Sequence, residues 1–354
     1  MLHAKLPRLV LAVVLALACS ALAMPAERSY VSGNFFLTLD GAKCGFLKSV
    51  DGGGVTAEVI QEPAGPKYFV KKHIGQPKYE NFTLQVGFSM DKALYEWIAQ
   101  SWKMQYQRKN GSIVTMDRTL MPTAERQFNQ ALITETTIPA MDGSSKEPAY
   151  MTVKFSPEYT RNVAATGGKA DYGEYGKNEQ KMFLPSNFKL DIDGLDCSKV
   201  NKVESFTVKQ TTVTDDIGDA RDYTKEPGKL EFPNLKITLA EVNAQSWIDW
   251  HKTFVIEGKN DEAFEKGGML TLLSPNQQKP LMRIKFYNLG IFRLQPDKAE
   301  ANADQIKRIE VELYVERMEL LYGEEAGGTS PATPPAQSPA PIKNPAPPTG
   351  LRRG

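Results

Sequence analysis

The stretch Asn34-Phe35-Phe36-Leu37-Thr38-Leu39-Asp40-Gly41-Ala42-Lys43-Cys44 returns 153 residues later as Asn187-Phe188-Lys189-Leu190-Asp191-Ile192-Asp193-Gly194-Leu195-Asp196-Cys197, with six of eleven positions identical. The same spacing pairs Val55 with Val208, Gly75 with Gly228, Asn81 with Asn234 and Trp97 with Trp250. Residues 34–102 carry thirteen identities in sixty-nine positions, where chance at ordinary composition gives about four. Farther on the spacing widens to 157–158, bringing Asn110-Gly111 onto Gly267-Gly268, Phe128 onto Phe286 and Val153 onto Val311. Self-similarity of this kind marks a repeated structural unit. The expected organisation is a domain over 27–163, a Gly/Ala/Lys/Tyr-rich linker over 164–182 and a second copy over 183–323.

Each copy reads mostly as strands. Phe188, Leu190 and Ile192 alternate with Lys189, Asp191 and Asp193, the period of a half-buried strand. Asp40-Gly41 and Asp193-Gly194 follow as hairpin turns, since such turns need residues that tolerate positive φ. Phe82, Leu84, Val86 and Phe88 form another alternating run, mirrored by Leu235, Ile237 and Leu239. Later strands are predicted over 112–116, 151–155, 269–273 and 309–315. One helix interrupts each copy. Asp91 is placed to cap a helix over 92–105, with Leu94, Trp97, Ile98 and Trp102 on one face. Asn243 is the corresponding cap for a helix presenting Trp247, Trp250 and Phe254. Trp97 and Trp250 are therefore expected in the domain cores. The predicted fold class is mainly β: two tandem barrels or sandwiches, each with one packed helix.

The 354 residues are 41% hydrophobic and 24% charged, with formal net charge +1. That balance removes the overall electrostatic argument for a nucleic-acid binder. No apolar run approaches the roughly 18 residues of a membrane-spanning helix. Three Cys and three His leave little material for a metal centre or Cys/His catalysis. No P-loop, HExxH, GxSxG or dinucleotide fingerprint is present, so no enzyme activity, cofactor or metal is expected. His73 and His251 are not equivalent between copies. The run from Asp191 to Asp196 departs from a calcium loop, with Gly at its fourth position and Lys202 at its twelfth. Gly52-Gly53-Gly54 lacks the helix and Lys of a phosphate cradle and reads as a flexible turn. Cys44 and Cys197 occupy equivalent positions in the two copies and are read as buried thiols.

The two ends have another character. Residues 1–23 read as a signal peptide: Lys5 and Arg8, an eleven-residue apolar stretch from Leu9 to Cys19, then Ala21-Leu22-Ala23 as cleavage site. A short anchor is the alternative, and Ala16-Leu17-Ala18 is a poor lipobox before Cys19. Removal of Lys5 and Arg8 with the peptide turns the formal charge from +1 to −1. Residues 324–354 are Pro-rich, with eight Pro after Gly327. They bury too little apolar area to offset ordering and are expected to be extended.

The residues also carry a resemblance. Lys67-Tyr68, Lys71, then Gly75-Gln76-Pro77-Lys78-Tyr79-Glu80-Asn81-Phe82-Thr83-Leu84 resemble a conserved-order stretch of the tail tube proteins of T4-like contractile phages. The helix with Glu96-Trp97, then Asn110-Gly111-Ser112 and Phe128–Ala131, follow in the same order, and Cys44-Gly45-Phe46 occupies the family's Gly-Phe position. The resemblance covers the first copy; the second keeps fewer of these elements. It implies a structural, self-assembling protein of hexameric rings stacked into a hollow tube, similar also to tubes of type VI secretion and extracellular contractile injection systems. Self is then the main partner, with sheath, hub or baseplate-like proteins beside it. Two fused tube domains let three chains close a pseudohexamer, the preferred arrangement, or place one domain in each of two successive rings. The segments 61–77 and 214–227 would be inter-ring arms, the first carrying Lys67, Lys71 and Lys72, the second Asp215, Asp216, Asp219 and Asp222. Tail tubes assemble in the cytoplasm, whereas a signal peptide implies export. An exported barrel that binds or coats without forming tubes is the alternative function.

Overall fold

The structure, a computed structural model, describes residues 33–64, 69–169, 171–172, 183–215, 223–296 and 306–322. The expected signal peptide, the Pro-rich tail, linker residues 173–182, Lys67, Asp216, Asp219 and Asp222 lie outside the described residues.

The first copy is a closed barrel. Strand β1 (Asn34–Leu39) turns through Asp40 and Gly41, both at positive φ (46° and 84°), into β2 (Ala42–Gly52). That is the mirror-image turn Asp-Gly favours. A hairpin follows, β3 (Val55–Ala64) and β4 (Phe69–Tyr79), then β5 (Phe82–Val86), helix α1 (Lys92–Trp102), β6 (Lys109–Met116) and β7 (Pro122–Ile138). The short β8 (Met141–Asp142), which joins the second copy's sheet, then β9 (Met151–Ser156) and β10 (Tyr159–Val163) follow. The order β7-β6-β1-β2-β5-β9 closes on itself because β9 also pairs with β7. Closure removes strand edges. The β3–β4 hairpin stays outside as a two-stranded sheet of its own.

The second copy repeats the series: β11 (Phe188–Ile192), β12 (Val200–Val203), β13 (Phe206–Asp215), β14 (Thr224–Glu231), β15 (Leu235–Ala240), helix α2 (Gln245–His251), β16 (Lys266–Leu273), β17 (Pro280–Pro296) and β18 (Arg308–Tyr322). The ladders repeat too. Gly111 faces Phe128 as Gly268 faces Phe286, and Leu132 faces Ser156 as Gly290 faces Tyr314. Gln130 and Asn288, 158 apart, hold the same left-handed φ of 51° and 55°. The copies differ at a seam: β1 pairs with β2, whereas β11 is an edge of its sheet and β12 lies toward the other end, between β15 and β8. Asp196 is the local cause. Its carboxylate accepts from Ser198 N at 2.9 Å and from Asn243 Nδ2 at 2.8 Å, bonds that also hold it down at about 2. The chain turns there instead of continuing a hairpin, and β8 of the first copy takes a place beside β12.

The structure departs from three sequence expectations. Helix α1 stops at Trp102 instead of 105, although Asp91 caps it as expected, accepting from Ala93 N at 2.9 Å. Asn243 does not cap the second helix, because it ends a 3-10 turn and its side chain is committed to Asp196; Ala244 stands at the cap position. The helix then runs through a π turn, Lys252–Ile256. The described parts of the segments expected as arm loops, 61–64, 69–77, 214–215 and 224–227, belong to paired strands.

One apolar core runs through both copies. Trp97 and Trp250 are buried in it, with indole N–H groups on Gln107 O at 2.8 Å and Phe264 O at 3.0 Å. Phe88 meets Phe183 at 4.8 Å, and Phe206 meets Phe286 at 6.4 Å. Cys44 and Cys197 are free thiols, pushed up by burial to about 12 and about 11. A shared core couples the copies in unfolding. Trp97→Ala and Trp250→Ala should each cost about 3–5 kcal/mol and shift one common urea transition. Separate transitions, each moved by one substitution only, would contradict the shared core.

Candidate assembly interface

The joint between the copies shows how one unit receives the next. The far half of β7, past its pairing with β6, has its edge taken by β13: Ile138 faces Phe206, Thr137 faces Thr207, Thr136 faces Val208 and Glu135 faces Lys209. The second copy's β13–β14 hairpin thereby extends the first copy's sheet. Thr137 and Thr207 hydroxyls bond across this ladder at 2.8 Å.

Around the ladder lies a polar cluster drawn from both copies. Arg108 Nη2 donates to Lys225 O at 2.8 Å and to Glu226 Oε1 at 2.7 Å. Glu158 Oε1 accepts from Lys225 N at 3.0 Å and stands 3.6 Å from Arg108 Nε. Lys225 itself is buried. Its ammonium donates to Ser156 Oγ at 2.6 Å and lies 5.3 Å from the Tyr223 ring centre. Burial lowers this ammonium to about 8, with Glu158 opposing the shift. Ser101 Oγ donates to Gln210 Oε1 at 3.0 Å, both buried. The helix side adds Lys103 to Glu319 at 2.6 Å, with Tyr95 stacked on Tyr322 at 5.6 Å.

The same two surfaces recur, uncovered, at the ends of the chain. Hairpin β3–β4 repeats β13–β14 residue for residue at the 153 spacing, bulge included: Thr56 faces Lys78 as Lys209 faces Glu231, and Gln61 faces Lys72 as Thr214 faces Lys225. Yet Val208 is 2% exposed and its equivalent Val55 is 54% exposed. Val59, Ile60, Val70 and Ile74 of that hairpin are exposed as well. On the receiving side, β17 repeats β7 at the 158 spacing, but among the described residues it pairs past Leu289 with β18 alone. Phe292 is 41% exposed where its equivalent Thr134 is 7% exposed. Beside it Ile248, Val255, Ile256 and Phe264 are exposed. Solitary exposed apolar residues are ordinary, whereas two groups on complementary faces mark interaction surfaces.

The residues singled out in the sequence fall in several places. Lys71 and Lys72 stand on β4 of the uncovered hairpin, and Asp215 ends β13. The described part of the second arm lies along the first copy. Arg108, Glu158, Lys225 and Glu226 were missed. The Lys72/Lys225 identity at the repeat spacing was the available signal. Among the described residues no group of three or more His, Cys, Asp or Glu is placed to hold a metal. Among the described residues are open grooves of about 410 Å³ at the β11–β12 seam and about 630 Å³ beside Lys199 and Arg308. No helix among the described residues is long and apolar enough to cross a membrane.

Lys225 gives the joint a pH signature. Below about 8 the native and unfolded chains both hold the proton, and the cost of the buried ammonium is fully present. Between about 8 and the ordinary 10.5 the unfolded chain binds more protons, so stability rises with pH. The urea midpoint of the parent should therefore gain on that of Lys225→Met as pH goes from 7.5 to 10. A constant difference would contradict the assignment.

No curated protein matches the chain. Among solved structures, the anti-feeding prophage cap (AFP tube terminating cap) is 22% identical, covers 40% of this chain and 99% of its own, with a TM-score of 0.32. The sheath-tube complex of an extracellular contractile injection system, PVC, in the extended state is 18% identical, covers 38% and 89%, with a TM-score of 0.31. A family model matches residues 31–161, the whole of the first copy: that of the T4-like virus tail tube protein gp19.

Proposed function

We propose that the protein is a structural ring-former in which three chains, each supplying two tube-type domains, close a pseudohexameric ring. The observation that carries this reading is the joint inside the chain. Its two halves reappear uncovered as hairpin β3–β4 and the free edge of β17. A surface and its complement on opposite sides of one molecule make a head-to-tail contact, which yields a ring when the rotation closes. The lateral ladder favours two domains side by side in one ring over one domain in each of two rings. Adding a strand satisfies the open backbone groups of β17, and side chains on alternate positions fix the register. The tail tube match over residues 31–161 supports a structural role over an enzymatic one. Stacking of rings into a tube, tip-to-ring contacts by Lys67, Asp216, Asp219 and Asp222, and sheath, hub or baseplate-like partners extend the same reading.

Light scattering of the purified chain should give the mass of three chains, with rings in negative-stain images. Val55→Asp changes a residue already exposed, so the chain should fold normally, yet it should disperse the rings to monomers. A monomer at high concentration in the parent would overturn the ring. An exported barrel acting as a binding or surface module would then lead.

A further inference from the structure

The two joints of such a ring, within a chain and between chains, are built from equivalent positions but not from equivalent charges. The ladder registers give the correspondence. Lys72 and His73 stand where the inner joint has Lys225 and Glu226. On the receiving side Tyr314 and Glu316 stand for Ser156 and Glu158 at the 158 spacing, and Glu265 for Arg108 at 157.

At the inner joint Arg108 receives Glu226 at 2.7 Å. At the outer joint the receiving residue is the acid, Glu265, and the incoming one is His73. The lysine is kept: Lys72 would bring its ammonium to Tyr314 as Lys225 brings its own to Ser156 Oγ. Glu316 is placed for the backbone N–H of Lys72, as Glu158 is for that of Lys225. The outer receiving face is already arranged. Tyr314 O–H donates to Glu265 Oε1 at 2.6 Å, while Glu265 Oε2 is buried with no donor. Gly290, at the Leu132 position, makes room for the Tyr314 ring, which would lie 2.0 Å from a Cβ there. The apolar fringe is exchanged as well. The Tyr223 hydroxyl accepts from Tyr79 N at 3.0 Å in the inner joint, and Val70 and Phe232 hold those positions in the outer one.

Building on the ring reading, we infer that a second copy of this chain docks by Lys72 and His73 on Glu265, Tyr314 and Glu316, and that this charge exchange makes the two joints non-interchangeable. A second-copy hairpin on the outer face would set Glu226 against Glu265, and a first-copy hairpin on the inner face would deny Arg108 the carboxylate of Glu226. Specificity here comes from the repulsion built against the wrong partner as much as from the right contact. The alternation forbids a ring from shedding its own inner joint to pair like with like.

The test uses the full chain and measures association by light scattering, with thermal unfolding as the control for folding. Lys72→Glu alters an exposed side chain and should weaken association at least tenfold. Glu265→Arg and His73→Glu should each weaken it as well. The double variant His73→Glu/Glu265→Arg recreates the Arg108–Glu226 pair and should restore rings. A parent that forms rings while Lys72→Glu and both single variants associate equally well overturns the keyed joint and leaves the ring intact. A monomeric parent overturns both.

Discussion

The pairing of β13 with the far half of β7 is the contact on which the rest of the structure depends. Strand β7 is 17 residues long, and its first half is satisfied by β6 on one edge. Its second half has β9 on one side and needs a partner on the other. An open edge of that length, facing apolar side chains, is a liability that folded proteins cover or close. The first copy covers it with a hairpin borrowed from the second. That loan merges two cores into one and buries Lys225, Gln210 and Val208 at the seam. Among the described residues the first copy's own hairpin pairs with no other strand, and the edge of β17 past Leu289 has no second strand beside it.

Much of this was legible in the sequence. The Asn34–Cys44 repeat placed both β1 and β11, and the alternating runs at Phe82 and Leu235 placed β5 and β15. Trp97 and Trp250 fell in the core because bulky indoles at helical spacing can only be buried there. The arms were harder. Gly65 and Pro66 interrupt residues 61–77, and the exposed side chains of β3 and β4 lack a two-residue alternation of burial, since the hairpin stands clear of the barrel. Its apolar residues, Val59, Ile60 and Ile74, read as loop in sequence because no barrel face claims them. The second helix was misjudged at its start because Asn243 is a good cap by type, while Asp196, 47 residues away, competes for its side chain.

The interface was legible only in part. The charged residues expected to act, the four Asp and three Lys of the arms, were chosen because they cluster in sequence. The residues that join the copies are dispersed: Arg108 before β6, Glu158 between β9 and β10, Lys225 and Glu226 on β14. Only a fold brings them within 2.7–3.6 Å of one another, so no local pattern announces them. The duplication is what makes the outer joint readable at all, because every residue of the inner joint names a counterpart. Where the counterparts differ in size they do so in compensation, as with Leu132 and Ser156 against Gly290 and Tyr314.

The central claim is that the outer joint repeats the inner register. Thr136 faces Val208 inside the chain, which sets Leu294 opposite Val55 of the next chain. Facing residues of antiparallel strands bring their Cβ atoms to about 4.5–5.5 Å, within reach of a disulfide after mild oxidation. Val55→Cys/Leu294→Cys in one chain should give covalent dimers and trimers on a non-reducing gel, ending at three chains, while Val59→Cys/Leu294→Cys should give little. Crosslinking that ignores register, or that runs on to an open ladder without stopping at three, would contradict the account.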